Sequence, residues 1–166
     1  MRAAMSGQKI PLIHRLLSSL KIFYAHRART FGSIESVIDF HKQLSEIIKT
    51  HVKVDVKKAK ILDLGCGQTA TQTALFKSDG ADITGIDMEV PTYQMNLKTF
   101  IRVIKTNGAE RAIKSLLRHF LFDRRFFLDL SLKYGKTIPL DQLDISLMSA
   151  TGLSFHDNCF DFVYSA

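Results

Sequence analysis

The sequence predicts an α/β fold built around a parallel sheet, and three observations lead to it. A short apolar run, "ILDLG", ends in a turn that contains two glycines, Gly65 and Gly67. A helical stretch follows from about Ala70 to Ser78, and "ADITGIDM" then has the pattern of a second strand with Asp87 near its end. A strand, a glycine turn, a helix and a strand form a βαβ unit, whose strands are parallel and joined by a right-handed crossover.

Two later segments have the pattern of further strands, and a long helical stretch precedes them. "LDISLM" is predicted as the third strand and "FDFVYSA" as the fourth. Between the second and third strands, residues 89–142 form a helical insertion. Its predicted helices run from Tyr93 to Thr106, from Ala109 to Phe122, and from a cap at Asp123 to Tyr134, with stops at Gly108 and Gly135.

Two amphipathic helices are predicted before the first strand. The first runs from Pro11 to about Ala25, and the second begins after a capping Ser33 and fades near residue 50. We therefore divide the chain into an N-terminal helical segment, residues 1–57, and a sheet domain, residues 58–166, that carries the insertion.

Composition limits the class of protein. The chain has 166 residues, of which 46% are apolar and 23% charged, as in an ordinary globular domain. No apolar run approaches the roughly 20 residues that span a bilayer. Two cysteines, Cys66 and Cys159, do not suggest a disulfide framework, so a cytoplasmic location is expected. The six histidines show no metal-ligand spacing, and no metal is expected.

The net charge of +7 is unevenly distributed. Residues 1–60 carry a net +8 and residues 98–136 a net +7, whereas residues 61–97 and 137–166 each carry −4. Two interpretations of the basic segments remain open. They are solvated helix faces, or they attract an acidic substrate, a membrane surface or nucleic acid.

Two carboxylates indicate what the glycine turn binds. Asp87 at the end of the second strand can accept both hydroxyls of a ribose, which suits either a dinucleotide or another adenosine ligand. Asp63 lies in the first strand, two residues before Gly65, where a carboxylate costs free energy unless it has a partner. It would repel a pyrophosphate and would suit a ligand with a positive group. S-adenosylmethionine carries a sulfonium and an ammonium but no phosphate.

Three segments resemble class I S-adenosylmethionine-dependent methyltransferases of the small-molecule type. "ILDLGCGQTA" is similar to the first motif of that family, "ITGIDM" to the second, and "SATGLSFHDNCFDFVYSA" to a later block. The resemblance covers about a third of the chain, residues 58–88 and 143–166. It implies a Rossmann-like, doubly wound parallel sheet with strand order 3-2-1-4, and a domain that lacks the family's strands five to seven.

The resemblance also implies roles for particular residues. Gly65, Cys66 and Gly67 would approach the amino acid part of the cofactor, and Asp63 would hold its ammonium, usually through water. Asp87 would hold the ribose. The remaining residues implied to contact the cofactor lie near the adenine or the cleft: Met88, Ser149, Ala150 and Ser165. Ser149 replaces the family's usual acid, Thr69 replaces a third glycine, and Asp161 is expected to anchor the fourth strand.

The predicted function is methyl transfer to a small-molecule or lipid-like acceptor, with the basic insertion as a cap over that acceptor. Three alternatives stay open: a non-catalytic remnant that binds S-adenosylmethionine, an NAD-type oxidoreductase, and a nucleic-acid methyltransferase. The nucleic-acid substrate is less favoured because no Asn-Pro-Pro-Tyr-type motif is present. Contact of the basic helices with a membrane surface is a further expectation.

Overall fold

The computed structural model describes residues 34–165 and, nearer the N-terminus, residues 13, 14, 17, 18 and 21. Those five residues have helical backbone, in agreement with the first predicted helix at these positions. The rest of that helix and the predicted cap at Ser33 lie outside the described residues. Within the described part, no helix combines the length and the apolar character needed to cross a membrane.

The centre of the fold is a four-stranded sheet in which every pair of neighbours is parallel. Its strands are β1 (Lys60–Leu64), β2 (Asp82–Asp87), β3 (Asp144–Leu147) and β4 (Phe162–Tyr164). Their spatial order, β3-β2-β1-β4, confirms the predicted α/β, Rossmann-like arrangement. Because the chain moves from β1 to β2 and β3 on one side and returns to β4 on the other, a crevice forms beyond the carboxyl ends of β1 and β4.

Five α-helices accompany the sheet in the described region. They are α1 (Ile34–Ile47), α2 (Thr71–Ser78), α3 (Leu97–Asn107), α4 (Ala109–Arg118) and α5 (Arg124–Tyr134). A π-helical turn, Ile48–Val52, extends α1, and a second one, His119–Asp123, joins α4 to α5. As predicted, α3 ends at Gly108 and α5 at Gly135, where φ is 86° and 73°.

The core joins α1 and the insertion to the sheet. Leu44 and Ile48 pack in one buried cluster with Ile61 of β1, Phe76 of α2 and Ile83 of β2. A second cluster brings α1 and α2 against the last helix of the insertion: Ile38, Ala74, Leu75, Phe127 and Leu130. Since α5 supplies two residues of this cluster, the C-terminal part of the insertion is fixed to the body of the domain.

The first helix of the insertion starts later than predicted. It begins at Leu97 rather than at Tyr93, because the side chain of Asn96 caps it by accepting the Thr99 backbone N–H at 2.9 Å. The preceding segment is tied elsewhere, since the Thr92 N–H donates to the Gln68 carbonyl at 2.9 Å. This contact between distant segments is not visible in local helical periodicity.

The predicted cap at Asp123 is wrong. Asp123 has helical backbone angles and makes no side-chain cap, so α4 and α5 form one continuous helix interrupted only by the π-helical turn. Its carboxylate is fully buried and accepts from Nε of Arg118 at 3.0 Å. Because a buried carboxylate needs a cationic or hydrogen-bonding partner, Asp123 is used for this ion pair rather than for ending a helix.

The expectation for Asp161 is confirmed. The Lys60 N–H donates to Oδ2 of Asp161 at 2.8 Å, and the Asp161 N–H donates to the Lys60 carbonyl at 2.8 Å. These two bonds connect the entry of β4 to the entry of β1, at the edge of the sheet opposite to the crevice.

Candidate functional site

The glycine turn is held by the end of β2. Gly65 and Gly67 have φ of +73° and +71°, a region that glycine enters without strain. The N–H groups of Gly65 and Cys66 both donate to the Ile86 carbonyl, at 2.9 and 3.0 Å. The Gly67 N–H donates to Asp87. All three amides are therefore occupied within the chain. A Cβ on either glycine would meet no atom within 4 Å, so the space beside the turn is open.

Asp87 organises the turn and retains capacity for a ligand. Its Oδ2 accepts the Gly67 N–H at 2.9 Å, and its Oδ1 accepts the Glu89 N–H at 2.8 Å. Each carboxylate oxygen accepts about two hydrogen bonds, so one position on each oxygen is left. The half-buried carboxylate can consequently bind two neighbouring hydroxyl groups without releasing the turn.

Asp63 is buried below the turn and only partly satisfied. Its side chain is 1% exposed, and its Oδ2 accepts the Thr73 hydroxyl at 2.7 Å. Its Oδ1 is buried and has no hydrogen-bond partner among the described residues. Burial raises the pKa of Asp63, and the interactions with the Thr73 and Tyr164 hydroxyls only partly offset that effect.

Tyr164 provides a second buried polar atom without a partner. It pairs with Asp63 across β1 and β4, so the two side chains lie on the same face of the sheet. Its hydroxyl is buried and lies close enough to the Asp63 carboxylate to interact with it, but the two do not form a hydrogen bond of normal geometry. Burial and the neighbouring Asp63 raise the pKa of Tyr164, so the phenol stays protonated and can donate. Two unsatisfied groups at the crevice indicate a site for a polar ligand or water.

Cys66 is a neutral thiol in this environment. Burial raises its pKa to about 12, and the nearby Asp63 and Asp87 contribute to the increase. Because the thiolate is the nucleophilic form, Cys66 does not act as a nucleophile at neutral pH. Gly85 of β2 makes room for it, since a Cβ there would lie 3.1 Å from Cys66 Sγ and 3.1 Å from Thr73 Oγ1. Sequence reasoning missed Gly85, although a glycine inside a strand often signals such a close approach.

The other predicted site residues lie at strand ends on the same edge of the sheet. Met88 follows β2 and is 79% exposed, and Ser165 follows β4 and is exposed. Ser149 and Ala150 follow β3. Just before them, the Met148 N–H donates to the Asp87 carbonyl at 3.0 Å and connects the end of β3 to the end of β2. These four residues thus border the crevice but, unlike Asp63, Cys66, Gly67 and Asp87, are not part of the hydrogen-bonded or packed group at the turn.

The hydrogen-bonding capacity of the Ser149 hydroxyl is already partly occupied by Thr151. Its hydroxyl lies 2.8 Å from that of Thr151, and it accepts the Thr151 N–H at 3.2 Å. A hydroxyl offers two acceptor positions and one donor. If Ser149 donates to Thr151, one acceptor position is left for an amino group, so the predicted adenine contact depends on the direction of that one bond.

The insertion contacts the glycine turn through Gln68, a link that sequence reasoning missed. The guanidinium of Arg118 donates to Gln68 Oε1 and to the Thr92 hydroxyl, while Gln68 Nε2 donates to Glu89. Arg111 of α4 also donates to Glu89. Arg118 and Gln68 are 50 positions apart, and no local pattern indicates their contact. The glycine turn and the insertion are therefore connected by one polar network.

Within the described residues, no group of three or more His, Cys, Asp or Glu side chains is placed to hold a metal ion. Comparisons of the chain with protein-family models, with curated proteins and with solved structures gave no match. The fold and the geometry of the turn are therefore the features that bear on function.

Proposed function

We propose that this chain is an S-adenosylmethionine-dependent methyltransferase that acts on a small-molecule or lipid-like acceptor. The observation that carries the proposal is the unsatisfied Oδ1 of Asp63, buried beneath the glycine turn at the crevice. A buried acceptor of this kind suits a ligand that brings N–H donors or positive charge, as the amino acid part of this cofactor does.

The polar groups at the turn favour this cofactor over a dinucleotide. The N–H groups of Gly65, Cys66 and Gly67 all donate within the chain, so they do not offer the donors that a pyrophosphate requires. The carboxylate of Asp87 lies close enough to Asp63 to oppose the ionisation of the Asp63 carboxyl and raise its pKa. An added pyrophosphate would increase the negative charge there. This supports S-adenosylmethionine over NAD.

The residues present fit the cofactor's groups. Asp87 would accept the two ribose hydroxyls, and Asp63 would face the ammonium directly or through water. Met88, with most of its side chain exposed, would cover the adenine, whose edge would meet Ser149 and the Ala150 N–H. When bound, the cofactor supplies a methyl group already activated by the sulfonium. The chain's own contribution would then be orientation and exclusion of water, which can supply much of the rate.

The test compares two strand-end carboxylates of β2. Asp87→Asn removes the charge and replaces one acceptor oxygen by an amide. Asp82→Asn makes the same change at the exposed opposite end of the strand and is the matched control. Each protein is titrated by calorimetry with S-adenosylhomocysteine and, separately, with NAD. We expect one S-adenosylhomocysteine per chain, and at least about tenfold weaker binding in Asp87→Asn.

Binding of NAD in place of S-adenosylhomocysteine would overturn the proposal in favour of a dinucleotide site. Equal affinity of both variants for S-adenosylhomocysteine would also count against it, because Asp87 would then lie outside the binding site. Circular dichroism of both variants shows whether Asp87→Asn retains the fold and makes the comparison valid.

A further inference from the structure

A cavity of about 550 Å³ lies between the segment after β2, the α4–α5 helix and residues 137–140. Its volume falls within the usual range of small-molecule sites, roughly 300–1,000 Å³. It is separate from the residues proposed to hold the cofactor. Its walls belong mostly to the insertion, for which the proposed cofactor site provides no role.

The walls combine an apolar side with a basic corner. Phe127, Leu128, Ile138 and Leu140 line the apolar side. Phe127 belongs to the buried core, and Ile138 and Leu140 pack against it, so this side is firmly supported. Among the described lining residues, Arg124 is the one permanently charged side chain, and no carboxylate lines the cavity.

Arg124 is available to a ligand. Its guanidinium lies 5.9 Å from the centre of the Phe120 ring, and it forms no ion pair with a carboxylate of the described residues. Its neighbour Arg125 instead pairs with Asp129 on the exposed side of the helix. The two adjacent arginines therefore differ in environment, and Arg124 is the one that lines the cavity.

His119 adds an unsatisfied polar atom to the same corner. Its Nδ1 is buried and has no hydrogen-bond partner among the described residues. Burial lowers the pKa of His119 and outweighs the nearby Asp123, which raises it; Arg124 adds to the lowering, and the neutral ring is therefore favoured at pH 7. An anionic group bound by Arg124 would also reduce the repulsion that opposes protonation of this ring.

We propose that this cavity binds an amphiphile with one anionic group, which pairs with Arg124 beside His119 while its apolar part lies along Phe127, Leu128 and Ile138. The assignment of this cavity as the acceptor pocket of a methyltransferase rests on the function proposed above. Tyr93, which also lines the cavity, lies close enough to Cys66 of the glycine turn to interact with it electrostatically. The cavity and the turn are therefore adjacent.

Three ten-carbon probes test the charge of the ligand: decanoate, decanol and decyltrimethylammonium, each below its micelle-forming concentration. Calorimetry on the full chain should show one decanoate bound, with decanol at least about tenfold weaker because it cannot form the charge-assisted bond to Arg124. The cationic probe should not bind. Equal binding of decanoate and the cationic probe, or no binding of decanoate, would overturn the proposal.

Two pairs of variants locate the site. Arg124→Gln and Leu128→Asp should each weaken decanoate at least about tenfold. Their matched controls, Arg125→Gln and Leu132→Asp, alter exposed residues of the same helix that do not line the cavity and should leave affinity unchanged. All four changes are at exposed positions, so folding should be preserved. Uniform affinity across the four variants would indicate adsorption to the surface and would refute the site.

A titration of decanoate in saturating S-adenosylhomocysteine separates this inference from the proposed function. Simultaneous binding supports an acceptor pocket beside a cofactor site. Binding of S-adenosylhomocysteine without decanoate would refute the cavity and leave the function standing. Binding of decanoate without S-adenosylhomocysteine would keep an amphiphile site but refute its acceptor role, together with the methyltransferase. Competition between the two ligands would refute a separate cavity site.

Discussion

Asp63 and Thr73 are joined by a buried hydrogen bond of 2.7 Å between β1 and α2. Thr73 is itself fully buried, and the second carboxylate oxygen of Asp63 has no partner among the described residues. One oxygen of the carboxylate is thus fixed by the fold, and the other is buried without a hydrogen bond of normal geometry. Burial of this carboxylate lowers the stability of the fold, and the same carboxylate is proposed to bind the cofactor. Experiments can separate these two effects.

Asp63→Asn should make the stability of the fold less sensitive to rising pH. It should also weaken the binding of S-adenosylhomocysteine. Burial raises the pKa of Asp63, so the folded state binds this proton more tightly than the unfolded chain. Stability therefore falls as pH rises from the ordinary carboxyl value of 3.8 through the folded value. Urea unfolding across pH should show a smaller fall for Asp63→Asn than for the original chain. A parallel pH profile would contradict this account.

Asp79→Asn should reduce the loss of stability in acid. Burial alone would raise the pKa of Asp79, but hydrogen bonds from His41, Lys136 and Tyr134 together lower it to about 2. A lowered pKa stabilises the fold above pH 3.8, and that contribution is lost as pH falls towards 2. It amounts to about 2 kcal/mol at neutral pH.

The measurement for Asp79 is urea unfolding between neutral pH and the acid range. The original chain should lose this contribution in acid. At neutral pH Asp79→Asn should be less stable than the original chain, and its free energy of unfolding should fall less in acid. Asp39→Asn changes an exposed carboxylate of α1, paired with Lys42, and should behave like the original chain. If both variants lose stability equally in acid, the contacts of Asp79 do not account for the acid sensitivity.

Gly85→Ala should destabilise the fold by about 1–3 kcal/mol and weaken binding at the glycine turn. The new Cβ would lie 3.1 Å from Cys66 Sγ and 3.3 Å from Cys66 Cβ, tighter than most Cβ contacts in proteins. Cys66 and Thr73 must then move slightly away from β2. Gly152→Ala is the matched control, because its Cβ would meet nothing within 4 Å. Thermal unfolding and calorimetry test both variants, and equal behaviour would show that the turn accommodates the methyl group.

Arg118→Met should cost about 3–5 kcal/mol, because it leaves the buried carboxylate of Asp123 without its cation. The double variant Arg118→Met/Asp123→Asn should be more stable than Arg118→Met alone, since the uncompensated charge is gone. Arg125→Met, at an arginine whose side chain is 84% exposed, should change stability little. Urea unfolding of the original chain, Arg118→Met, Asp123→Asn and the double variant gives the coupling energy. Additive effects would show that the two residues act independently.

Much of the local structure was predictable from the sequence. The apolar run before Gly65, the strand ending at Asp87 and the helix stops at Gly108 and Gly135 follow from periodicity and from glycine's backbone freedom. These are properties of neighbouring residues. The strand order 3-2-1-4 was an expectation from the resemblance to methyltransferases, and the sheet has that order.

The site depended on contacts between distant positions. Tyr93 was predicted to start a helix and Asp123 to cap one, whereas the structure places Tyr93 at the cavity and pairs Asp123 with Arg118. Gln68 and Arg118 form a hydrogen bond although they are 50 positions apart in the sequence. Hydrophobic periodicity does not report such pairings, because they arise only when separate elements pack together.

The sequence by itself determined that a parallel sheet carries a glycine turn with carboxylates in β1 and at the end of β2. Only the tertiary structure decided which polar atoms are satisfied. The amides of Gly65, Cys66 and Gly67 are occupied, whereas Asp63 Oδ1 and the Tyr164 hydroxyl have no partner among the described residues. The reason is physical: whether a polar atom has a partner depends on burial and on the atoms brought to it by packing.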